Sequence, residues 1–291
     1  MNILVTGACG QLGNEMQLQA QLHAEYQWFF TDVVSAEAVF AINPLDITDK
    51  DAVEAFVQEK SIDVIVNCAA YTAVDRAESE TEKAMLLNAT APGYLAAAIE
   101  HRGGQLIQIS TDYVFDGTAH TPYTEDLPPC PSSVYGRTKL AGELAVMAAN
   151  PSVMIIRTAW LYSRFGNNFV KTMIRLSHEK QELGVIFDQI GTPTYARDLS
   201  DAIMAAIRQG IQSGIYHFSN EGVCSWYDFT KAIHRLANIT TCIVHPLHTA
   251  DYPTPAARPH YSVLDKTKIK KTYHIEIPYW EDSLRECIAE L

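Results

Sequence analysis

The chain has 291 residues, of which 47% are hydrophobic, and carries 22 Lys plus Arg against 34 Asp plus Glu for a formal net charge of −12. This composition excludes intrinsic disorder over most of the length and allows a sizeable core in one large or two modest domains. The negative balance argues against nucleic acid or an anionic membrane surface as the main partner, while a small anionic ligand can still be held in a cleft by helix dipoles and a few cations.

In chain order, apolar runs of strand length at 3–5, 28–30, 64–66, 106–109 and 154–156 alternate with helical patterns at 11–24, 49–60, 78–101 and 132–149. Such alternation reads as βαβ units. Runs apolar on both faces imply strands covered by helices on both sides, so the predicted fold is α/β, a doubly wound parallel sheet of the Rossmann type. Past residue 162 the pattern is less regular. It reads as helices at 168–179 and 197–208, a strand at 215–218, a helix after Ser225 with Asp228 placed for a capping box, a proline-rich passage at 252–259 and an amphipathic helix at 280–291. The expected organisation is a dinucleotide-binding domain over 1–162 and a smaller, mainly substrate-binding lobe over 163–291, with the chain crossing between them. Ligands of open α/β sheets bind outside the carboxyl ends of the strands, which makes the cleft between the lobes the expected site.

No apolar run approaches the ~20 residues needed to span a bilayer, and Met1 leads directly into a strand pattern, so a cytoplasmic location without membrane contact is expected. Cysteines 9, 68, 130, 224, 242 and 287 are scattered, which fits free thiols. His245 and His248 straddle Pro246 and lack partnering carboxylates, so no metal is assigned to them.

Gly7, Gly10 and Gly13 follow the first strand within Thr6-Gly7-Ala8-Cys9-Gly10-Gln11-Leu12-Gly13, where the first helix opens. Glycines there let the chain turn, let the backbone approach a pyrophosphate and let the helix pack on the strand, while the helix N-terminus offers free N–H groups to the anion. The alternative is a tight turn without a ligand. Asp32, about 20 residues further on, is placed to accept adenosine ribose hydroxyls and favours NAD over NADP, unless it is a solvated turn carboxylate. The loop over 33–36 bears on the same choice, which leaves NADPH and NADH both open. Asp46 and Ile47 are candidates for holding the adenine, with helix capping as the other role for Asp46. The small residues Ala69 and Ala70, with Tyr71, end the third predicted strand where the backbone can come close to a cofactor.

Tyr135 and Lys139 are four apart at the start of a helical stretch and share a face. A neighbouring ammonium favours the phenolate, which is expected to lower the Tyr135 pKa toward the working pH for acid–base chemistry, and the Lys can also reach a nicotinamide ribose. The alternative is two exposed helix residues. Thr111, in Ser110-Thr111-Asp112-Tyr113-Val114-Phe115, ends the fourth strand, where a hydroxyl can hold a substrate carbonyl or cap the strand end. The decisive feature is the joint order of glycine loop, acid, hydroxyl and Tyr-x-x-x-Lys along successive βα units.

In that order the sequence resembles the extended short-chain dehydrogenase/reductase superfamily and, within it, the dTDP-4-dehydrorhamnose reductases. The resemblance runs over nearly the whole chain through Ser110 to Phe115, Tyr135-Gly136-Arg137-Thr138-Lys139-Leu140-Ala141-Gly142-Glu143, Arg157-Thr158-Ala159-Trp160-Leu161-Tyr162, Gly166-Asn167-Asn168-Phe169-Val170-Lys171-Thr172-Met173, Asp188-Gln189-Ile190-Gly191-Thr192-Pro193-Thr194 and Tyr252-Pro253-Thr254-Pro255-Ala256-Ala257-Arg258-Pro259. It implies Tyr135 as proton donor, Lys139 as its partner and a cofactor ligand, and Thr111 as the hydroxyl that orients the ketone. It further implies that Asp112 and Trp160 line a sugar pocket and that Asn168, Lys171 and Arg258 lie near the diphosphate or base of a nucleotide-sugar substrate. Trp160 as core and Lys171 as a solvated charge are the alternatives.

The implied activity is reduction of the C4 ketone of dTDP-4-dehydro-L-rhamnose by hydride from NADPH or NADH. Superfamily dehydratases carry Asp-Glu after the Thr, whereas Tyr113 follows Asp112 here, which disfavours dehydration. Some members hold magnesium between subunits through glutamates; Glu15 and Glu290 are candidates for that role, but Arg197 stands where a further acid would help. The resemblance allows a homodimer. An epimerase that retains NAD and a regulatory subunit like that of methionine adenosyltransferase are the competing readings.

Overall fold

The computed structural model describes residues 1–34 and 40–291. β1 (Asn2–Thr6) leads into α1 (Gln11–Leu22), followed by β2 (Gln27–Asp32), β3 (Ile42–Pro44), α2 (Lys50–Glu59) and β4 (Val64–Asn67). Next come α3 (Val74–Ala77), α4 (Thr81–Met85), a π-helical turn over Leu86–Thr90, α5 (Ala91–Glu100), β5 (Gln105–Thr111), a short turn of helix over Asp112–Val114, α6 (Val134–Ala149) and β6 (Met154–Thr158). The helix expected at 78–101 is realised as a continuous helical run over 81–100, in which α4, the π-turn and α5 join through residues that all keep helical dihedrals. The π-turn stands just before Pro92, whose missing N–H cannot make the ordinary helical bond.

The remainder comprises β7 (Leu161–Tyr162), α7 (Phe169–Glu179), β8 (Glu182–Ile186), β9 (Ile190–Gly191), β10 (Thr194–Tyr195), α8 (Ala196–Gln209) and β11 (Gly214–His217). Then follow β12 (Cys224–Ser225), α9 (Trp226–Leu236), β13 (Ile243–Leu247), α10 (Thr267–Tyr273) and α11 (Trp280–Ala289). The expected capping box is present: the Asp228 amide donates to Ser225 Oγ at 3.0 Å and the Ser225 amide to Asp228 Oδ2 at 3.0 Å.

Seven strands form one parallel sheet in the order β11-β6-β5-β4-β1-β2-β3. The order reverses between β1 and β4, so a crevice opens above their carboxyl ends, where α/β sheets bind ligands. Alternate residues feed two cores. Ile3, Val5, Val64, Val66, Met154 and Ile156 pack with α1, α8 and α10, whereas Leu4, Ile65, Leu106 and Ile155 pack with α2 and α5 on the other face. Burial on both faces explains why these strands read as unbroken apolar runs. The crossing is extensive, since α8, β11 and α10 complete the first core.

A third core, around Tyr162, Val170, Phe229 and Trp280, forms the second lobe. There β8 pairs in parallel with β13, an element without a clear sequence signal because Gly184 interrupts one strand and Pro246 the other. Pro44 likewise hides β3 at the edge of the main sheet.

Candidate active site

The turn after β1 is shaped by contacts that only glycine permits. Gly7 has φ +64°, and a Cβ on it would lie 2.6 Å from the Ala69 amide nitrogen; one on Gly13 would lie 2.2 Å from the Gly7 carbonyl oxygen. Both therefore serve the close approach of turn, helix and the end of β4. Gly10 is exposed and N-caps α1, with no side chain capping the helix and no acid in its first turn. The N-terminal N–H groups of a twelve-residue helix thus face the crevice, as a pyrophosphate site requires. Gln11 and the buried Leu12 follow.

Asp32 ends β2, and its carboxylate accepts the Cys9 amide at 2.9 Å on Oδ2 and the Val33 and Val34 amides at 2.8 and 3.2 Å on Oδ1. It therefore fastens the glycine turn as well as facing the crevice. Ser35 and Ala36, in the loop expected to bear on cofactor choice, lie outside the described residues. Asp46 accepts the amide and hydroxyl of Thr48, at 2.9 and 2.7 Å; the residue that caps α2 is Asp49. Ile47 is buried in the second core. Below residues 69–71, buried Asn67 accepts from the Thr6 hydroxyl at 2.6 Å and donates to Gln108 at 2.7 Å.

Tyr135 enters on the first turn of α6, whose N-cap Ser133 accepts the Gly136 amide at 3.1 Å. Its phenol lies near the Thr111 hydroxyl at the end of β5, close enough for that hydroxyl to favour the phenolate. Burial pushes the Tyr135 pKa up to about 12, a rise that the Thr111 hydroxyl opposes and the Asp112 carboxylate reinforces. This reverses the expectation that the lysine lowers it. Lys139 Nζ turns down to the Ile109 carbonyl at 2.7 Å, and burial brings its own pKa down to about 8, against the pull of Glu143. Burial thus keeps the phenol protonated near neutral pH, as a proton donor must be, and leaves the Lys139 ammonium mostly charged there.

Asp112 is buried beside Thr111, whose hydroxyl donates to Oδ1 at 3.0 Å; burial raises its pKa to about 6, partly offset by the Ser262 and Thr111 hydroxyls. Ser262 also lies against Gly191, where a Cβ would come within 2.8 Å of both the Ser262 hydroxyl and the Trp160 ring. Asp112 and Trp160 are thereby gathered at one wall. Trp160 holds a left-handed φ of +48° and stacks on Trp226 at 3.5 Å, with 10° between the planes. A left-handed bulky residue is a strained conformation of the sort that clusters at ligand sites.

The other residues of the implied substrate site divide into two groups. Asn168 caps α7 by accepting the Lys171 amide at 3.1 Å and donates to Gln11 Oε1 at 3.0 Å and the Ser163 carbonyl at 2.6 Å; Lys171 Nζ bonds the Arg164 carbonyl at 3.0 Å. These two therefore sit by the start of α1. Arg258 lies elsewhere along the cleft, in a bidentate pair with Asp75.

Among residues that the sequence motifs include without assigning a role, Glu143 is the most consequential. It lies one helical turn beyond Lys139 and is 1% exposed, as is Arg157, which donates Nε to Oε1 at 2.9 Å and Nη2 to Oε2 at 2.7 Å. The Ser110 hydroxyl adds a bond to Oε1 at 2.5 Å. Spacing alone could have linked Glu143 to Lys139, but not to a strand residue. Asn88, in the π-turn, accepts the Tyr71 amide at 2.9 Å and donates to Thr138 at 3.1 Å, which ties the loop after β4 to α6.

The carboxylates considered for magnesium are already matched by cations. Arg197 Nη2 lies 2.6 Å from Glu290 Oε2 and its Nε 3.8 Å from Glu15 Oε2, while Arg164 Nη1 is 3.4 Å from Glu290. Two guanidiniums between two acids do not fit a divalent cation, which needs unopposed oxygen ligands. Among the described residues no group of three or more His, Cys, Asp or Glu is placed to hold a metal, and no helix is long and apolar enough to cross a membrane.

The profile described as the RmlD substrate binding domain matches residues 1–291. A relative from Streptomyces antibioticus named "probable dTDP-4,6-dihydroxy-2-methyloxan-3-one 4-ketoreductase" is 42% identical over 100% of this chain and 96% of its own. A solved dTDP-4-dehydrorhamnose reductase from Clostridium acetobutylicum is 45% identical with a TM-score of 0.92, covering 100% of this chain and 99% of that one. The dTDP-4-dehydrorhamnose reductase of Bacillus anthracis, solved in complex with NADP, is 39% identical with a TM-score of 0.90 over 100% and 99% of the two chains.

Proposed function

Because this chain belongs to the family described by the RmlD substrate binding domain, we propose that it is an NAD(P)H-dependent oxidoreductase that reduces the C4 ketone of dTDP-4-dehydro-L-rhamnose to give dTDP-L-rhamnose, in nucleotide-sugar and surface polysaccharide biosynthesis. The observation that supports this reading is the gathering of Tyr135 with Thr111 and Asp112 at the end of β5, while Lys139, one turn along the same helix, is held on the Ile109 carbonyl at 2.7 Å. When bound, the nicotinamide supplies the hydride for C4.

The chain's own residues do the rest. With substrate bound, the Thr111 hydroxyl, which otherwise donates to Asp112 Oδ1, turns its hydrogen to the ketone oxygen beside the Tyr135 phenol, so that the oxygen is held by two donors. Tyr135, protonated near neutral pH because burial raises its pKa to about 12, passes its phenolic proton to that oxygen as negative charge develops there. The Lys139 ammonium opposes the charge left on the phenolate, a stabilisation strongest in a site shielded from water. Asp112 and the left-handed Trp160 form the wall against which the sugar is oriented. Holding the ketone and its proton donor together can supply several kcal/mol of the barrier, of the ~7–11 kcal/mol available to well-oriented groups.

Both nicotinamide forms are proposed as reductants. Asp32 shares its charge with three backbone amides, which weakens its repulsion of a 2′-phosphate and leaves an acceptor position for a ribose hydroxyl. The deciding experiment incubates the protein with dTDP-4-dehydrorhamnose and NADPH or NADH and follows loss of the reduced-nicotinamide absorbance against product formed. One-to-one stoichiometry supports the reductase. Sugar conversion without net cofactor loss would instead indicate an epimerase, and cofactor binding without conversion of any 4-ketosugar would indicate a binding subunit.

A further inference from the structure

The proline-rich strap over residues 252–259 is tied to the first lobe at one carboxylate. Asp75, in the short helix α3, accepts Arg258 Nη1 at 3.1 Å and the Ala256 amide at 3.2 Å on Oδ1, and Arg258 Nη2 at 2.7 Å on Oδ2. The partners are up to 183 residues apart in sequence, so this clip closes one lobe's strap on the other. It stands near Tyr135: α3 packs through Ala77 in the cluster that contains Tyr135, and Tyr113, within electrostatic reach of Arg258, meets the Tyr135 ring edge-on at 5.4 Å.

A guanidinium has five N–H donors in a rigid fork. In Arg258, Nη1 gives one hydrogen to Asp75 and the other to the Ala256 carbonyl at 3.2 Å, and Nη2 gives one to Asp75. Its Nε–H and second Nη2–H, the pair on one edge of the plane, have no partner among the described residues. Two parallel donors on one edge match two oxygens of a phosphate. A free arginine would sample many rotamers; this one is fixed end-on by a carboxylate, and its side chain keeps 22% of its surface exposed.

We infer that Asp75 is a positioning residue, which clamps Arg258 and its strap so that the free Nε–Nη2 edge of the guanidinium receives a phosphate of the diphosphate in the nucleotide-sugar substrate. This rests on the proposed substrate class and adds the device that orients its anionic part. Asp75 touches neither substrate nor cofactor in this account. Its effect runs through Arg258, on binding rather than on the chemical step.

The test uses Asp75→Asn, Arg258→Met and the double variant in the full chain, with steady-state kinetics, calorimetric titration of dTDP and thermal melts. Asn keeps an oxygen for the Ala256 amide but sets an N–H against Nη2, so the strap anchor survives while the clamp is lost. The expected result is a KM for the nucleotide sugar raised about tenfold, dTDP binding weakened by a similar factor, and kcat and the KM for NADPH within about twofold of wild type. In the Arg258→Met background, Asp75→Asn should have no further effect.

An unchanged KM and dTDP affinity, or an effect that persists undiminished without Arg258, overturns the inference. So does failure of the wild-type protein to bind dTDP. Should the wild type bind dTDP through Asp75 and Arg258 yet reduce no 4-ketosugar, the proposed activity fails while this assignment stands.

Discussion

Replacing Glu143 by Gln tests the buried charge one helical turn from Lys139. Glu143 and Arg157 are each 1% exposed and joined by two bonds of 2.9 and 2.7 Å. The substitution leaves a guanidinium in the core that cannot shed its proton, and uncompensated buried charges of this kind cost about 3–5 kcal/mol. At roughly 2–4 °C per kcal/mol for a chain somewhat smaller than this one, the melting temperature should fall by about 6 °C or more. Arg157→Met should cost less, because an orphaned carboxyl can take up a proton and become neutral whereas a guanidinium cannot. Replacing both, Glu143→Leu with Arg157→Met, should restore stability to within about 1–2 kcal/mol of wild type, since an apolar pair of similar volume can stand in for a buried ion pair.

Activity should not recover with stability in that double variant. Burial lowers the Lys139 pKa and the Glu143 charge opposes that fall, the two together leaving it at about 8. Without Glu143 the lysine loses its proton at lower pH, so the alkaline fall in kcat should begin at lower pH than in wild type. Urea unfolding and a pH–rate profile provide the two readouts. A Glu143→Gln cost below about 1 kcal/mol, or an alkaline limb that stays put or moves upward, would refute the reasoning.

Tyr135→Phe should lower turnover by about 10²–10⁴ while NADPH affinity, measured by fluorescence titration, stays near wild type. In the wild-type protein kcat should hold through neutral pH and decline above the Lys139 value of about 8, because deprotonation removes the cation that supports the phenolate. Gly13→Ala places a Cβ 2.2 Å from the Gly7 carbonyl oxygen; the turn must open, so dinucleotide binding should be lost in the same titration and the melting temperature reduced.

Legibility in the sequence follows the range over which each interaction acts. The central strands show because burial on both faces forces unbroken apolar runs, and the glycine turn and Tyr135–Lys139 show because their partners are neighbours in the chain. The capping of α9 by Ser225 and Asp228 is equally local. What the chain brings together from afar leaves no such trace: Arg258 finds Asp75 and Arg157 finds Glu143 only after folding. The pKa of Tyr135 makes the same point in energetic form. Spacing announces the lysine's charge, but the desolvation that outweighs it arises from packing across α6, β5 and the loops between them. In the second lobe, β8 and β13 go unannounced because Gly184 and Pro246 break patterns that pairing nevertheless accommodates.

The last strand of the main sheet comes late in the chain. A polypeptide emerging from the ribosome as far as residue 162 holds β6 as a raw edge, its partner β11 not yet made, and lacks α8 and α10 to cover one face of the sheet. Neither half therefore completes its own core, and a chain truncated at residue 162 should lose the packing of the first lobe along with the second. Synthesis must pass Tyr273 before the floor beneath the cofactor turn is complete.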